Sequence, residues 1–105
     1  MDAFRQLDPL LAASIHSFHL KRGDTLKLEH CAGATMHLAY GGAYLSDSRR
    51  TRCIGEGETV PLSDKGTILI YALQDSSVRL DGPELCSMEL RRRGEVAWVT
   101  IPRSS

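Results

Sequence analysis

The sequence Leu20-Lys21-Arg22-Gly23-Asp24-Thr25-Leu26-Lys27-Leu28 recurs in pattern as Ile54-Gly55-Glu56-Gly57-Glu58-Thr59-Val60-Pro61-Leu62. Each copy has an apolar residue, then a glycine, an acid and a threonine, followed by apolar residues at alternate positions. A further glycine, Gly33 or Gly66, follows each copy and opens an apolar run. Apolar residues with a period of two indicate β-strands, and glycine beside an acid favours a turn. The repetition therefore predicts two similar β-hairpin units packed around a pseudo-twofold axis.

Length and composition predict one globular domain spanning residues 1–105. The chain is 42% hydrophobic and 25% charged, which is typical of a folded domain and not of a disordered one. Its 13 basic and 13 acidic residues cancel. A neutral chain is not attracted as a whole to nucleic acid or to an anionic membrane. Weak repulsion between copies favours self-association, so a homodimer is one expected partner.

The chain has three cysteines, Cys31, Cys53 and Cys86, without the close spacing of a metal-ligand pair. An odd number cannot pair fully within one chain, so reduced, buried thiols in a cytoplasmic protein are the simplest interpretation. Arg52 would favour a thiolate at Cys53. The first residues lack the basic flank and continuous apolar segment of a signal peptide or membrane span. A cytoplasmic location without membrane attachment is therefore expected.

The segment 1–16 is predicted to be helical. Phe4, Leu7, Leu10 and Leu11 recur at helical spacing within it. We expect this short helix to cover an open edge or end of a sheet.

Residues 17–82 are predicted to form the duplicated hairpin core. Gly41-Gly42 is a two-residue hairpin signal, because glycine tolerates positive φ at both central positions. Pro61 cannot donate to a strand ladder, which places its strand at a sheet edge. The run from Thr67 to Leu73 is apolar on both faces, which is typical of the most buried strand.

Residues 84–101 are expected to add a hairpin outside the repeat, with strands at 85–91 and 95–101. In total the pattern gives nine or ten short strands, separated by turn residues at spacings of roughly 8–12 residues. The predicted fold class is mainly β: an antiparallel β-sandwich or small barrel with a short N-terminal helix.

A series of motifs follows in a definite order: Leu20 to Asp24, Gly33, Met36 to Tyr40, Gly42 to Leu45, and Gly57-Glu58. In this order, over residues 17 to about 80, they resemble an uncharacterised bacterial cupin-like family of the jelly-roll type. The resemblance implies a cupin-like fold and no particular reaction.

The histidines limit what the resemblance implies about chemistry. Metal-binding cupins carry a His-x-His pair, a nearby glutamate and a later histidine. Here Ala39 stands where a second histidine after His37 belongs, and no histidine follows. We therefore expect no metal, no cofactor and no catalytic residue.

His37 itself has two interpretations. If it faces the core, as alignment of the repeats with Ile70 suggests, it is a buried polar group that needs a partner. If Met36 and its alternate neighbours face the core instead, His37 is exposed. A candidate pocket comprises His37, Tyr40 and Tyr44. The other three histidines are expected to be structural or exposed.

Two arginine clusters, Arg49-Arg50-Thr51-Arg52 and Arg91-Arg92-Arg93, lie in or beside predicted loops. Solvated charge is their ordinary role. Arg49, Arg50 and Arg52 are also candidates for contact with an anion or an acidic partner. Neither cluster is interleaved with aromatic residues, which argues against binding of single-stranded nucleic acid.

Together these observations favour a non-enzymatic cupin-like module for ligand sensing or protein association. Its expected partners are a second copy, joined through the hairpin at 85–101, and an unidentified small ligand or protein. One alternative is a small-molecule or metal-dependent enzyme with a pocket near His37. Another is weak nucleic-acid association through the arginine loops.

Overall fold

The computed structural model of the protein describes residues 15–82 and 86–101, which form ten strands and no helix. The strands are β1 (Ile15–Leu20), β2 (Thr25–Glu29), β3 (Thr35–Tyr40), β4 (Gly42–Ser46), β5 (Thr51–Gly55), β6 (Thr59–Pro61), β7 (Thr67–Ala72), β8 (Ser76–Asp81), β9 (Ser87–Arg91) and β10 (Val99–Thr100). The predicted mainly β class with nine or ten short strands is confirmed. The predicted helix lies outside the described residues, except that Ile15 and His16 belong to β1 and not to a helix. Among the described residues, no helix is long and apolar enough to cross a membrane.

The strands form two antiparallel sheets, as predicted. One has four strands in the order β1-β8-β3-β6, and the other has six in the order β10-β9-β2-β7-β4-β5. The first eight strands pair as β1 with β8, β2 with β7, β3 with β6 and β4 with β5. The chain therefore resembles a long antiparallel ribbon that is folded across both sheets. β9 and β10 extend the six-stranded sheet beyond β2.

The two copies of the repeated motif form the same turn. In the first copy the Asp24 N–H donates to the Lys21 carbonyl at 2.9 Å, and the Lys21 N–H donates to the Asp24 carboxylate at 3.0 Å. In the second copy the Glu58 N–H donates to the Gly55 carbonyl at 3.1 Å, and the Gly55 N–H donates to the Glu58 carboxylate at 2.7 Å. In both, the acid closes the turn twice, with its backbone and with its side chain.

Each turn is bonded to a strand of the other copy. The Gly23 N–H donates to the Ala72 carbonyl at 2.9 Å, and the Gly57 N–H donates to the Leu38 carbonyl at 2.7 Å. The two glycines supply the positive φ that the turn needs, 91° and 85°. Consequently β2 pairs with β7 and β6 with β3, and the hairpins expected within each unit are replaced by pairs between units.

Gly41 and Gly42 do not form the predicted hairpin turn. They join β3 in one sheet to β4 in the other, and only Gly41 has a positive φ, 99°. A Cβ at Gly41 would lie 2.6 Å from the Asp75 carbonyl oxygen. The Ser76 hydroxyl accepts a hydrogen bond from the Gly42 N–H at 3.1 Å. Glycine is therefore required here because two segments that cross between the sheets approach each other closely. The dipeptide Gly-Gly alone does not show whether it serves such a crossing or a hairpin turn.

The core lies between the sheets and is built from alternate strand residues. Its largest fully buried apolar side chains are Leu20, Leu26, Leu28, Met36, Leu38, Ile54, Ile68, Ile70, Leu80, Met88 and Val78. β7 was expected to be buried on both faces, and this is wrong, because Tyr71 is 44% exposed on its outer face. β7 is central within its sheet, but the other sheet covers only one of its faces. Pro61 lies in β6 at a sheet edge, as predicted.

The C-terminal hairpin is attached to the first copy at both ends of β2. At one end the buried Asp24 carboxylate accepts hydrogen bonds from the Arg92 guanidinium and the Arg93 N–H. At the other end Cys31 and Cys86 form a disulfide, with their Cα atoms 4.5 Å apart. The prediction of three reduced thiols is therefore wrong. The two cysteines are 55 residues apart, and only the pairing of β9 with β2 brings them together.

Candidate functional site

A cavity of about 360 Å³ lies between edge strand β5 of one sheet and edge strand β6 of the other. It has an aliphatic floor and a cationic rim. Its lining residues are Leu45, Asp47, Arg49, Arg50, Arg52, Val60, Pro61, Leu62, Ser63 and Ile68. We call it the arginine cavity. It brings together all three arginines that the sequence identified as candidates for anion contact.

Arg52 lies on the inner face of its strand. On β5 the side chain of Cys53 is exposed and that of Ile54 is buried. Arg52 shares the face of Ile54, because successive strand residues point to opposite faces. It also lies directly opposite the buried Leu45 in the β4–β5 register. A half-buried guanidinium is thus placed beside aliphatic core residues, where an anionic partner would offset its partial loss of hydration.

Two carboxylates hold the loop that carries Arg49 and Arg50. The Asp47 carboxylate accepts hydrogen bonds from the N–H groups of Arg49 at 2.8 Å and Arg50 at 3.0 Å. The Asp64 carboxylate accepts from the Ser48 N–H at 2.8 Å and from the Ser48 hydroxyl. The bonds from the Arg50 and Arg49 backbone lower the pKa of Asp47. Hydrogen bonds, above all from the Ser48 hydroxyl, lower the pKa of Asp64 to about 2. Both groups are therefore ionised at neutral pH.

None of the three guanidinium groups of the cavity forms a close ion pair within the described part of the chain. The Asp47 and Asp64 carboxylates attract Arg50 and Arg49 only at longer range. The other arginine cluster differs, because Arg92 pairs with Asp24 and Arg91 lies 4.7 Å from the ring centroid of Trp98. The cluster at 91–93 is used within the fold, whereas the cavity guanidinium groups make no such contacts among the described residues.

His37 lies on the outer face of the four-stranded sheet. Met36 and Leu38 face the core, so His37 points away from it, and its side chain is half-buried. Its Nδ1 is 2.8 Å from Thr59 Oγ1 on the neighbouring strand. A shallow groove of about 260 Å³ is lined by Thr35, His37, Thr59, Arg79 and Asp81. The enzymatic alternative near His37 stays a prediction.

His37, Tyr40 and Tyr44 are not brought together into one pocket. Tyr40 follows an irregularity in the β3–β8 register and is 43% exposed, with its hydroxyl 3.4 Å from His19 Nδ1. Tyr44 lies on the outer face of the other sheet, opposite Tyr71. The crossing between sheets after β3 separates residues that are close in sequence, and the hydrophobic period does not reveal that crossing.

Cys53 is the unpaired cysteine and is exposed. Arg52 points to the opposite face of β5, so the expected effect of its charge on a Cys53 thiolate is not supported by the geometry. Within residues 15–82 and 86–101, no group of three or more His, Cys, Asp or Glu side chains is arranged to hold a metal ion. The absence of a metal or cofactor from the working protein stays a prediction.

Sequence reasoning identified the arginines but missed the aliphatic floor beneath them. The floor consists of four buried residues, Leu45, Val60, Leu62 and Ile68. A signal for the inward position of Arg52 was present. The repeat aligns Ile54 with Leu20, both of which are buried, and alternation then places Arg52 on the inner face of β5.

No protein-family model matches the chain, and no curated protein matches it significantly. The function is therefore inferred from the geometry of the site.

Proposed function

We propose that the protein is a non-enzymatic, cupin-like binding module that holds a small organic anion in the arginine cavity. The pairing of the first eight strands across two sheets supports a jelly roll of the cupin type. The observation that supports anion binding is the position of Arg52. It is a guanidinium on an inner strand face, beside aliphatic side chains, without a carboxylate partner in the described chain.

The chemistry of the lining favours binding over reaction. A guanidinium offers its N–H donors in a planar fork that suits an oxyanion. Arg49 and Arg50 add positive charge on a loop that Asp47 already holds in place, which reduces the entropy lost on binding. The lining contains neither histidine nor cysteine, and its one carboxylate is bonded to backbone N–H groups. Binding is the role that these groups fit.

Arginine side-chain NMR tests this proposal. Titration with a panel of small anions, including phosphate, sulfate and carboxylates, should give a saturable shift of the Arg52 Nε–Hε signal. Arg79, on the outer face of the other sheet, should not respond. Arg52→Gln should weaken the saturable binding about tenfold or more, and the matched control Arg79→Gln should keep it. If no anion gives a saturable shift at millimolar concentration, the proposal is wrong.

We also propose that two copies associate through the C-terminal hairpin. Val96 is 91% exposed and Val99 is 64% exposed there. β10 forms one edge of the six-stranded sheet, and an unpaired edge with apolar side chains favours pairing with a second copy. Light scattering should give a dimer mass that Val99→Lys shifts toward the monomer. A strict monomer at low micromolar concentration contradicts this association.

A cytoplasmic location is a further proposal. The odd number of cysteines supports it, because three thiols cannot all pair within one chain, whereas the Cys31–Cys86 disulfide argues against it. Disulfides persist in oxidising compartments and are rare in the cytoplasm. Alkylation of thiols at the moment of cell lysis distinguishes the two. Three alkylated cysteines support the cytoplasm, whereas alkylation of Cys53 alone supports an oxidising compartment.

A further inference from the structure

The loop that carries Arg49 and Arg50 offers a ligand guanidinium groups and not backbone N–H groups. The N–H groups of Arg49 and Arg50 both donate to Asp47, and the N–H of Ser48 donates to Asp64. Phosphate sites commonly use several backbone N–H groups from a loop or a helix N-terminus. In this loop those groups are already used. A planar guanidinium, by contrast, pairs with both oxygens of a carboxylate.

Asp47 lowers the net positive charge that the cavity offers to an anion. It lines the cavity together with the arginines, and hydrogen bonds from the Arg50 and Arg49 backbone keep its pKa low. A negative charge of the protein therefore stands beside the bound anion. This repulsion offsets part of the attraction that Arg49, Arg50 and Arg52 exert on the anion.

The floor of the cavity selects for an apolar group. Leu45, Val60, Leu62 and Ile68 are each no more than 4% exposed, and their side chains have no hydrogen-bonding atoms. A ligand hydroxyl placed against them would lose its water partners and gain none. A methylene group placed there gains from leaving water. At about 360 Å³ the cavity is near the lower end of the range for small-molecule sites, so the apolar group is short.

We infer that the ligand is a small monocarboxylate with an uncharged apolar tail, whose carboxylate lies on Arg52 and whose tail lies on the aliphatic floor. This inference rests on the proposed function and adds the class of ligand to it.

Calorimetry with the straight-chain acids from acetate to octanoate tests the tail. The dissociation constant should fall about fourfold with each added methylene, and then stop falling once the cavity is full. Val60→Thr keeps the shape of the floor but adds a hydroxyl, so it should flatten this dependence. Because the series uses the unmodified protein, its result does not depend on whether any variant folds.

Ligands with the same alkyl tail and a different headgroup test the role of the carboxylate. Alcohols with the same tails should bind about tenfold more weakly or worse, because they lack the charge-assisted pair with Arg52. Alkyl phosphates should also bind more weakly than the acids. Arg52→Gln should weaken the acids about tenfold or more. Arg52→Lys keeps the charge without the planar fork and should give an intermediate loss. Arg79→Gln should match the wild type.

The outcomes separate this inference from the proposed function. If phosphate, sulfate or alkyl phosphates bind more tightly than every carboxylate, the inference is wrong and anion binding stands. The same holds if carboxylate affinity does not change with tail length. If the alcohols bind as tightly as the acids, or if no anion binds, both are wrong.

Discussion

β2 and β6 are equivalent strands of the two copies, and they have very different surroundings. β2 lies inside a sheet between β7 and β9, whereas β6 lies at the edge of the other sheet. Asp24, before β2, is 2% exposed and is bonded to Arg92 and Arg93. Glu58, before β6, is exposed and closes its own turn. The same motif thus forms the same turn twice, but the hairpin outside the repeat stabilises only the first.

The asymmetry also explains where the cavity is. β9 continues the six-stranded sheet beyond β2, so protein covers this edge of the first copy, while β1 lies at an edge of the other sheet. No described strand continues the sheet beyond β5 or β6, and the arginine cavity opens between these two edges. The β2 edge of the first copy is covered by another strand, whereas the β5 and β6 edges of the second copy border the cavity.

The largest expected effect is loss of the disulfide at the far end of β2. Cys31→Ala/Cys86→Ala removes a covalent link between positions 55 residues apart. The free energy of unfolding should fall by about 3–4 kcal/mol, because the unfolded chain gains loop entropy. Urea denaturation measures this, with Cys53→Ala as the control that changes little. Equal stability of the double variant and the wild type would show that the hairpin does not depend on this link.

Truncating the two equivalent acids compares the turns directly. Asp24→Ala leaves the N–H groups of Lys21 and Arg93 and the Arg92 guanidinium without their shared acceptor. We expect a loss of about 2–3 kcal/mol, since the carboxylate is buried while Arg92 is half exposed. Glu58→Ala removes one exposed hydrogen bond and should cost under about 1 kcal/mol. Similar losses at the two sites, in the same urea experiment, contradict the comparison.

Alanine at the two turn glycines should also destabilise the first copy more than the second, by a smaller margin. A Cβ at Gly23 would lie 2.7 Å from Cδ of Arg93, whereas a Cβ at Gly57 meets nothing within 4 Å. Both substitutions by alanine incur the cost of positive φ, about 1–2 kcal/mol. Gly23→Ala should cost roughly 1 kcal/mol more, because the Arg93 side chain must move. Thermal unfolding of the two variants measures the gap, and Gly57→Ala being the less stable would contradict it.

The smallest effect is a pH dependence at Asp24. Burial raises the pKa of Asp24, but hydrogen bonds from Lys21, Arg92 and Arg93 outweigh it and lower the pKa below 3.8. Because the folded pKa is below the unfolded one, this stabilisation is complete above the unfolded pKa and is lost as pH falls through the folded pKa. The gap in melting temperature between wild type and Asp24→Asn should be constant above about pH 5 and should shrink below about pH 4. A gap that stays constant to the lowest pH contradicts this contribution.

The sequence contains enough to predict most strands, the two glycine-acid turns and the edge position of Pro61, although the strand expected at 95–101 is seen only as Val99–Thr100. Period-two patterning and the repeated glycine-acid pair are local signals, and the turns they specify form as expected. The partners of the strands were not predictable in the same way. Gly41-Gly42 suits a hairpin equally well, and only the packing of Asp75 and Ser76 against it shows that the chain crosses between sheets.

The candidate site was predictable in part for the same reason. The arginines form a visible cluster in the sequence. The alternation of buried and exposed residues around Ile54 was sufficient to predict that the Arg52 side chain lies on the inner face of β5. The floor beneath Arg52 depends on Leu62, which follows β6, and on Ile68 of β7. The disulfide was not predictable from the sequence either, because no local pattern joins Cys31 to Cys86. Long-range pairing determines each feature that the sequence did not reveal.

The most direct test of the central claim is a crystal structure of the protein grown with hexanoate. The carboxylate should lie within hydrogen-bonding distance of the Arg52 guanidinium, with the alkyl chain against Leu45 and Ile68. An empty cavity at saturating hexanoate, or an Arg52 side chain directed away from it into solvent, would contradict the claim.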